Sequence, residues 1–113
     1  MIVERPWGKF EVFLDEPEYK VKRITVDPYQ QFSLQYHLHR DEYWTVVEGF
    51  GKMIINGTEN LVIPGSFWFI PKKSIHRAVA SSEGLVFIEV QRGKCDEEDI
   101  YRLHDDYGRL TQR

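Results

Sequence analysis

The sequence predicts an all-β barrel or sandwich, and three observations predict it. Short stretches of alternating apolar and polar residues follow one another from Lys9 to Gln91. Turn residues separate them: Asp27-Pro28, Asn56-Gly57, Pro64-Gly65 and the run from Ser81 to Gly84. Only the end of the chain, after Lys94, departs from this rhythm. Many short strands at close spacing with turns between them specify this class.

The elements justify themselves in order. Around Trp7, Pro6 and Gly8 give an irregular arm, with Trp7 packed against a partner because a large aromatic near a terminus needs one. Lys9 to Leu14 alternates and reads as a short strand, closed by a turn at Asp15 to Glu18. Tyr19 to Val26 is a strand with Val21, Arg23 and Thr25 on one face and Lys22, Ile24 and Val26 on the other. Phe32 to His39 is the next. One of its faces carries Ser33, Gln35, His37 and His39, unusually polar for a strand with so many bulky residues. Glu42 to Glu48 is a strand ending at Gly49. Lys52 to Ile55 and Glu59 to Ile63 form a hairpin through Asn56-Gly57. Phe67 to Ile70, Ile75 to Val79 and Leu85 to Gln91 complete the sheet. Asp96 to Leu103 reads as a short helix with Asp96 as its cap and acids in its first turn, followed by an irregular tail.

The 113 residues make one domain. It divides into an N-terminal arm (1–18), a barrel (19–93) and a tail (94–113). The net charge of -3 speaks against nucleic acid and against an anionic membrane surface as partners. Cys95 is the sole cysteine, so no internal disulfide forms, and a reduced, cytoplasmic location is expected. The first residues lack the basic end and apolar block of a signal peptide, and the most apolar window, Leu61 to Ile70, is too short to span a bilayer.

His37 and His39 are two apart, which puts both on one face of an extended strand. With Glu42 and the remote His76 they form a ligand set of three imidazoles and one carboxylate. Such a set suits one divalent ion: zinc first, with manganese, iron, cobalt or nickel also compatible. The other reading is that these histidines are plain hydrogen-bonding residues. A Ser-Gln-His-His face inside a small barrel is costly unless its polar groups are satisfied, and a metal with its waters would satisfy them.

The pattern H-x-H-x2-E-x6-G from His37 to Gly49 resembles the first cupin motif, and Gly65 to His76 resembles the second. The gap from His39 to Glu42 is slightly shorter than the commonest form, and Ala80 stands where many cupins have asparagine. Further segments are similar to the cupin domain of type II phosphomannose isomerases: R-P-W-G at Arg5 to Gly8, S-L-Q-Y-H-L-H-R at Ser33 to Arg40, I-E-V-Q-R-G at Ile88 to Gly93, D-I-Y-R at Asp99 to Arg102 and D-D-Y-G-R at Asp105 to Arg109. That domain commonly forms the C-terminal part of a bifunctional mannose-1-phosphate guanylyltransferase/mannose-6-phosphate isomerase. The resemblance implies a double-stranded β-helix, or jelly-roll barrel. It implies the histidines and glutamate as metal ligands, and conversion of mannose 6-phosphate to fructose 6-phosphate through an enediol. The chain has no Gly-rich loop of the kind that holds a nucleotide phosphate, so no guanylyltransferase activity is expected from it.

For that chemistry Glu89 is the expected base, with a partner role to Lys22 or Arg23 as the alternative. Lys22 and Gln35 are expected beside it, Lys22 as a point charge and Gln35 on a sugar hydroxyl. Arg40, at the rim, and Arg77, after the last histidine, are expected to bind the phosphate of a small phosphorylated sugar, with solvated surface positions as the alternative. A binding module without turnover, working beside a separate guanylyltransferase, and another metal enzyme such as a dioxygenase stay open. A homodimer through edge strands is expected.

Overall fold

Two long strands carry the architecture. In the computed structural model, which describes residues 1–110, β5 (Arg40–Ile55) and β8 (His76–Gly93) pair antiparallel from Arg40 opposite Gly93 to Ile55 opposite His76, interrupted at 81–84 of β8, which have no register partner in β5. The separate strands expected on either side of Gly49, and on either side of Ser81 to Gly84, are therefore continuous. Two bulges, between Val46 and Glu48 and between Gly49 and Gly51, bend the ribbon. Gly49 adopts φ 75°, and a Cβ there would lie 2.1 Å from the Gly84 carbonyl oxygen, so the two chains meet where no side chain fits.

The bend divides the molecule into two sheets. In one, the halves of β5 and β8 nearest Arg40 and Gly93 are joined by β7 (Phe67–Ile70) beside β5. On the other side β8 is joined by β3 (Tyr19–Val26), then β2 (Gly8–Asp15), then β1 (Ile2–Arg5). In the other sheet, β6 (Thr58–Val62) pairs with β5, while β4 (Leu34–Tyr36) pairs with β8 and with β9 (Tyr101–His104). This is the rolled, all-β barrel that the strand pattern predicts. The Asn56-Gly57 hairpin is as expected, with φ 47° and 84° at its two turn residues and Ile55 opposite Thr58.

Three expectations need correction. The N-terminal arm is a β1–β2 hairpin, which adds to the sheet because β3 offers it an open edge. The segment Asp96 to Leu103 is no helix: 94–100 is irregular and β9 follows, since Tyr101 and Arg102 pair with Tyr36 and Gln35 of the otherwise open β4. The strand expected over Phe32 to His39 is only β4, and the chain bends from His37 to His39. The last part of the expected tail, 111–113, lies outside the described residues.

The core is aromatic. Trp44 stacks on Phe87 at 4.3 Å and meets Phe32 edge-on at 5.8 Å; Phe32 in turn meets Trp7 at 5.5 Å. Trp7 thus has the partner its position calls for. Interior residues lie in rows across the first sheet. Glu42, Gln91 and Lys20 form one row; Trp44, Glu89 and Lys22 form the next; Val46, Phe87, Ile24 and Phe10 form the third. The barrel is apolar at the third row and ionic at the first.

Candidate metal centre

At the ionic end, His37, Glu42 and His76 converge. One ligand atom from each lies within 4.8 Å of the others, and all three residues are buried. Glu42 comes from β5 and His76 from the start of β8. His37 comes from the bend after β4, whose Gln35 is opposite His76.

Backbone carbonyls fix both rings. His37 Nδ1 donates to the Asp99 carbonyl oxygen at 2.7 Å, and His76 Nδ1 donates to that of Ser74 at 2.9 Å. With its Nδ1 so engaged, each ring turns Nε2 toward Glu42: His37 Nε2 lies 3.4 Å from Oε2, and His76 Nε2 lies 3.4 Å from Oε1. These are acceptors facing acceptors. Glu42 Oε1 and His76 Nε2 are fully buried and have no hydrogen-bond partner among the described residues. Burial pushes the His37 imidazole down to about 4, with Arg40 and His76 adding to the effect against Glu42, so the ring is neutral near pH 7. Burial alone would raise the Glu42 carboxyl, but His37, His76 and Arg40 hold it well below the usual range. Two imidazoles and one carboxylate, oriented by backbone carbonyls and with Glu42 Oε1 and His76 Nε2 left unpaired among the described residues, are the donor set a divalent cation takes. The residues fit the group.

His39 does not join them. It is exposed, on the outer side of the bend. The cause is Asp99, whose carboxylate accepts the Leu38 N–H at 3.0 Å and the His39 N–H at 2.9 Å. Capturing two successive amides breaks the two-residue period on which the His39 assignment rests. The side chain that turns inward is Arg40, buried rather than at the rim. Its Nε donates to Glu42 Oε2 at 3.0 Å, an Nη lies 3.3 Å from His37 Nε2, and another donates to the Asp96 carbonyl at 2.9 Å.

Beside this cluster a cavity of about 100 Å³ is lined by Gln35, Arg40, Glu42, Trp44, Glu89, Gln91, Lys22 and Glu97, and also by Arg5, Arg102 and Arg109. Glu89 is buried, accepts the Trp44 indole N–H at 2.9 Å and the Gln91 amide at 2.7 Å, and lies opposite Lys22 in register. Burial pushes its carboxyl up to about 7; the Glu42 charge adds to this, while Lys22, Arg40 and the Gln91 hydrogen bond pull back. Lys22 points inward, as its alternation with Ile24 and Val26 predicts. Gln35 lies 3.5 Å from His37 Nε2 and accepts from the Ser33 hydroxyl at 2.6 Å. Arg77 is not in the cavity. Next to inward His76, it takes the opposite face of β8, where its Nε donates to the Phe32 carbonyl at 3.1 Å and its Nη2 reaches His104.

Sequence reading missed Lys20, Gln91, Glu97 and Asp99. Lys20 and Gln91 are two residues from Lys22 and Glu89 on the same strands, so strict alternation finds them. Glu97 and Asp99 sit in the segment read as a helix and carry no such signal.

Comparison with known proteins now bears on this site. The family described as mannose-6-phosphate isomerase C-terminal matches residues 1–105. A mannose-1-phosphate guanylyltransferase from Klebsiella pneumoniae is 38% identical over 109 residues, 95% of this chain. The alginate biosynthesis protein AlgA from Pseudomonas aeruginosa is 38% identical over 112 residues, 97% of this chain. In each case the chain spans only 23% of the relative's length. Among solved structures, an RmlC-like cupin from Shewanella frigidimarina superposes with a TM-score of 0.78 at 22% identity, over 87% of this chain and 86% of that one.

Proposed function

The chain belongs to the mannose-6-phosphate isomerase C-terminal family, and from that premise we propose that it is a metal-dependent aldose–ketose isomerase acting on a phosphorylated hexose, mannose 6-phosphate to fructose 6-phosphate. The observation that carries the reading is the pairing of two unlike groups through the cavity that Glu42 and Glu89 both line. A cluster of facing acceptors at His37, Glu42 and His76 stands beside Glu89, a buried carboxyl poised near neutral pH.

A divalent ion held by His37 Nε2, Glu42 and His76 Nε2 would supply Lewis-acid polarisation of the sugar's C1 and C2 oxygens. Glu89, as carboxylate, takes the proton from C2 and returns it to C1 after the enediol forms, while a proton moves from the C2 hydroxyl to the C1 oxygen. The Trp44 and Gln91 hydrogen bonds fix the direction in which Glu89 presents its oxygens. Arg40 holds one oxygen of Glu42 and so leaves the other to the ion. Gln35 is placed to bind a sugar hydroxyl. Lys22 and the arginines that line the cavity favour an anionic substrate.

Metal analysis of freshly purified protein, then assay with mannose 6-phosphate before and after chelation, tests this. Stoichiometric divalent metal and turnover that chelation abolishes are expected. Bound metal without turnover of any hexose phosphate would replace this reading with that of a sugar-binding module.

A further inference from the structure

The cavity beside the candidate metal site holds about 100 Å³, whereas sites for small ligands typically need roughly 300–1,000 Å³. A hexose phosphate therefore enters only if part of the wall moves. One part of that wall is unlike the rest. Glu97 lines the cavity on its inner side and an open surface depression of about 550 Å³ on its outer side, so it separates the two. It stands on the irregular 94–100 segment, and its side chain is 45% exposed.

What Glu97 touches is the reverse of exposed. Its Oε1 pairs with Lys22 Nζ and lies 3.5 Å from Lys20 Nζ. Lys20 and Lys22 are 6% and 3% exposed, and the Lys22 ammonium also lies over the Phe10 ring, 4.1 Å from its centroid. Lys20 has one further carboxylate near, Asp15, at 3.9 Å on an exposed side chain. Lysines almost never lie this deep without full pairing. Here two buried ammonium groups converge on one half-exposed monoanion, Lys22 from the cavity that Glu42 also lines and Lys20 from the outer depression, on a strand two away from that of Glu42. A dianion would complement that pair of charges better than a carboxylate does.

We propose that Lys20 and Lys22 form the phosphate subsite of this protein, and that Glu97 is a resident carboxylate which the incoming phosphate displaces. This rests on the sugar-phosphate reading above. Glu97 is then an intramolecular competitor: it keeps the lysines paired and ordered when no ligand is bound, and its departure joins the cavity to the outer depression. It sets a threshold that a neutral sugar, with nothing to offer the lysines, does not cross.

Calorimetric titration of the metal-loaded protein with inorganic phosphate tests the proposal. Glu97→Gln is expected to tighten phosphate binding by roughly three- to tenfold, because the competing charge is gone. Lys22→Met, which keeps the apolar stem, is expected to weaken it by at least about tenfold. Binding of unphosphorylated mannose should not respond to Glu97→Gln. Glu97→Asp, whose shorter chain reaches the lysines less well, is the second variant should Glu97→Gln fail to fold, and it too should tighten phosphate binding. A gain in affinity is a result that mere structural damage does not produce. Unchanged or weaker phosphate binding in a cooperatively melting Glu97 variant overturns the proposal. Tighter phosphate binding without any turnover of mannose 6-phosphate sinks the isomerase reading alone; turnover with unchanged phosphate affinity sinks this inference alone.

Discussion

Glu42 and Glu89 are carboxylates in neighbouring rows of one sheet, and their surroundings drive them apart. Glu42 is held ionised by His37, His76 and Arg40, while burial and the Glu42 charge hold Glu89 up at about 7. Two outcomes follow at Glu89. As a base it works ionised, so kcat/KM should fall as pH drops through about 7, and Glu89→Gln should lower kcat by about 10²–10⁴-fold. In stability the sign is opposite. The folded state holds the Glu89 proton more tightly than an unfolded chain with its ordinary value of 4.5, so this contribution is complete below that value and lost as pH rises through 7. Between pH 5 and pH 8 denaturant unfolding should shift in favour of Glu89→Gln relative to the parent, by on the order of 2 kcal/mol. The histidines give a sharper contrast. His76→Ala should lose the metal on dialysis, whereas His39→Ala should retain it at full stoichiometry, as elemental analysis will read. The grouping of His37, Glu42 and His76 was legible because the residue types and the motifs that carry them stand out in the sequence. The outward turn of His39 was not, because Asp99, sixty residues away, imposes it.

At the scale of elements, that same carboxylate ties the 94–100 segment to the bend after β4. Asp99→Ala removes the acceptor of two amides, so unfolding free energy should fall by about 1–3 kcal/mol and metal affinity by about tenfold, seen in thermal melts and in a competitive chelator titration. Gly49 is the corresponding point in the ribbon. Gly49→Ala meets both a positive φ and the Gly84 carbonyl, and should destabilise the fold by at least about 2 kcal/mol in the same melts. The lengths of β5 and β8 were hidden in the sequence, because a bulged strand and two short strands with a turn between them carry the same glycines. Acids after Asp96 imitate the first turn of a helix; here they pair with lysines and amides of other strands instead.

For the whole molecule, the fold class was the most legible property, since alternation and turn chemistry recur along most of the chain and any single misreading is outvoted. What alternation does not say is which outward face stays wet. The outer face of β5 and β7 carries Tyr43, Phe67 and Phe69, with Phe67 79% exposed, and β7 has β5 alone as its strand neighbour among the described residues. A second copy of this chain is the expected cover. Sedimentation equilibrium should find a dimer, and Phe67→Asp should raise its Kd at least about thirtyfold.

The pairing of β5 with β8 also sets a clock. Glu42 and His76 stand on paired stretches of these strands, opposite Gln91 and Ile55, so the amide hydrogens there should exchange with deuterium only when the entire protein unfolds. The amides of 94–100 have few backbone partners and should exchange far sooner. A visiting molecule would then wait on the fast hand while the candidate ligand atoms keep time with the slow one.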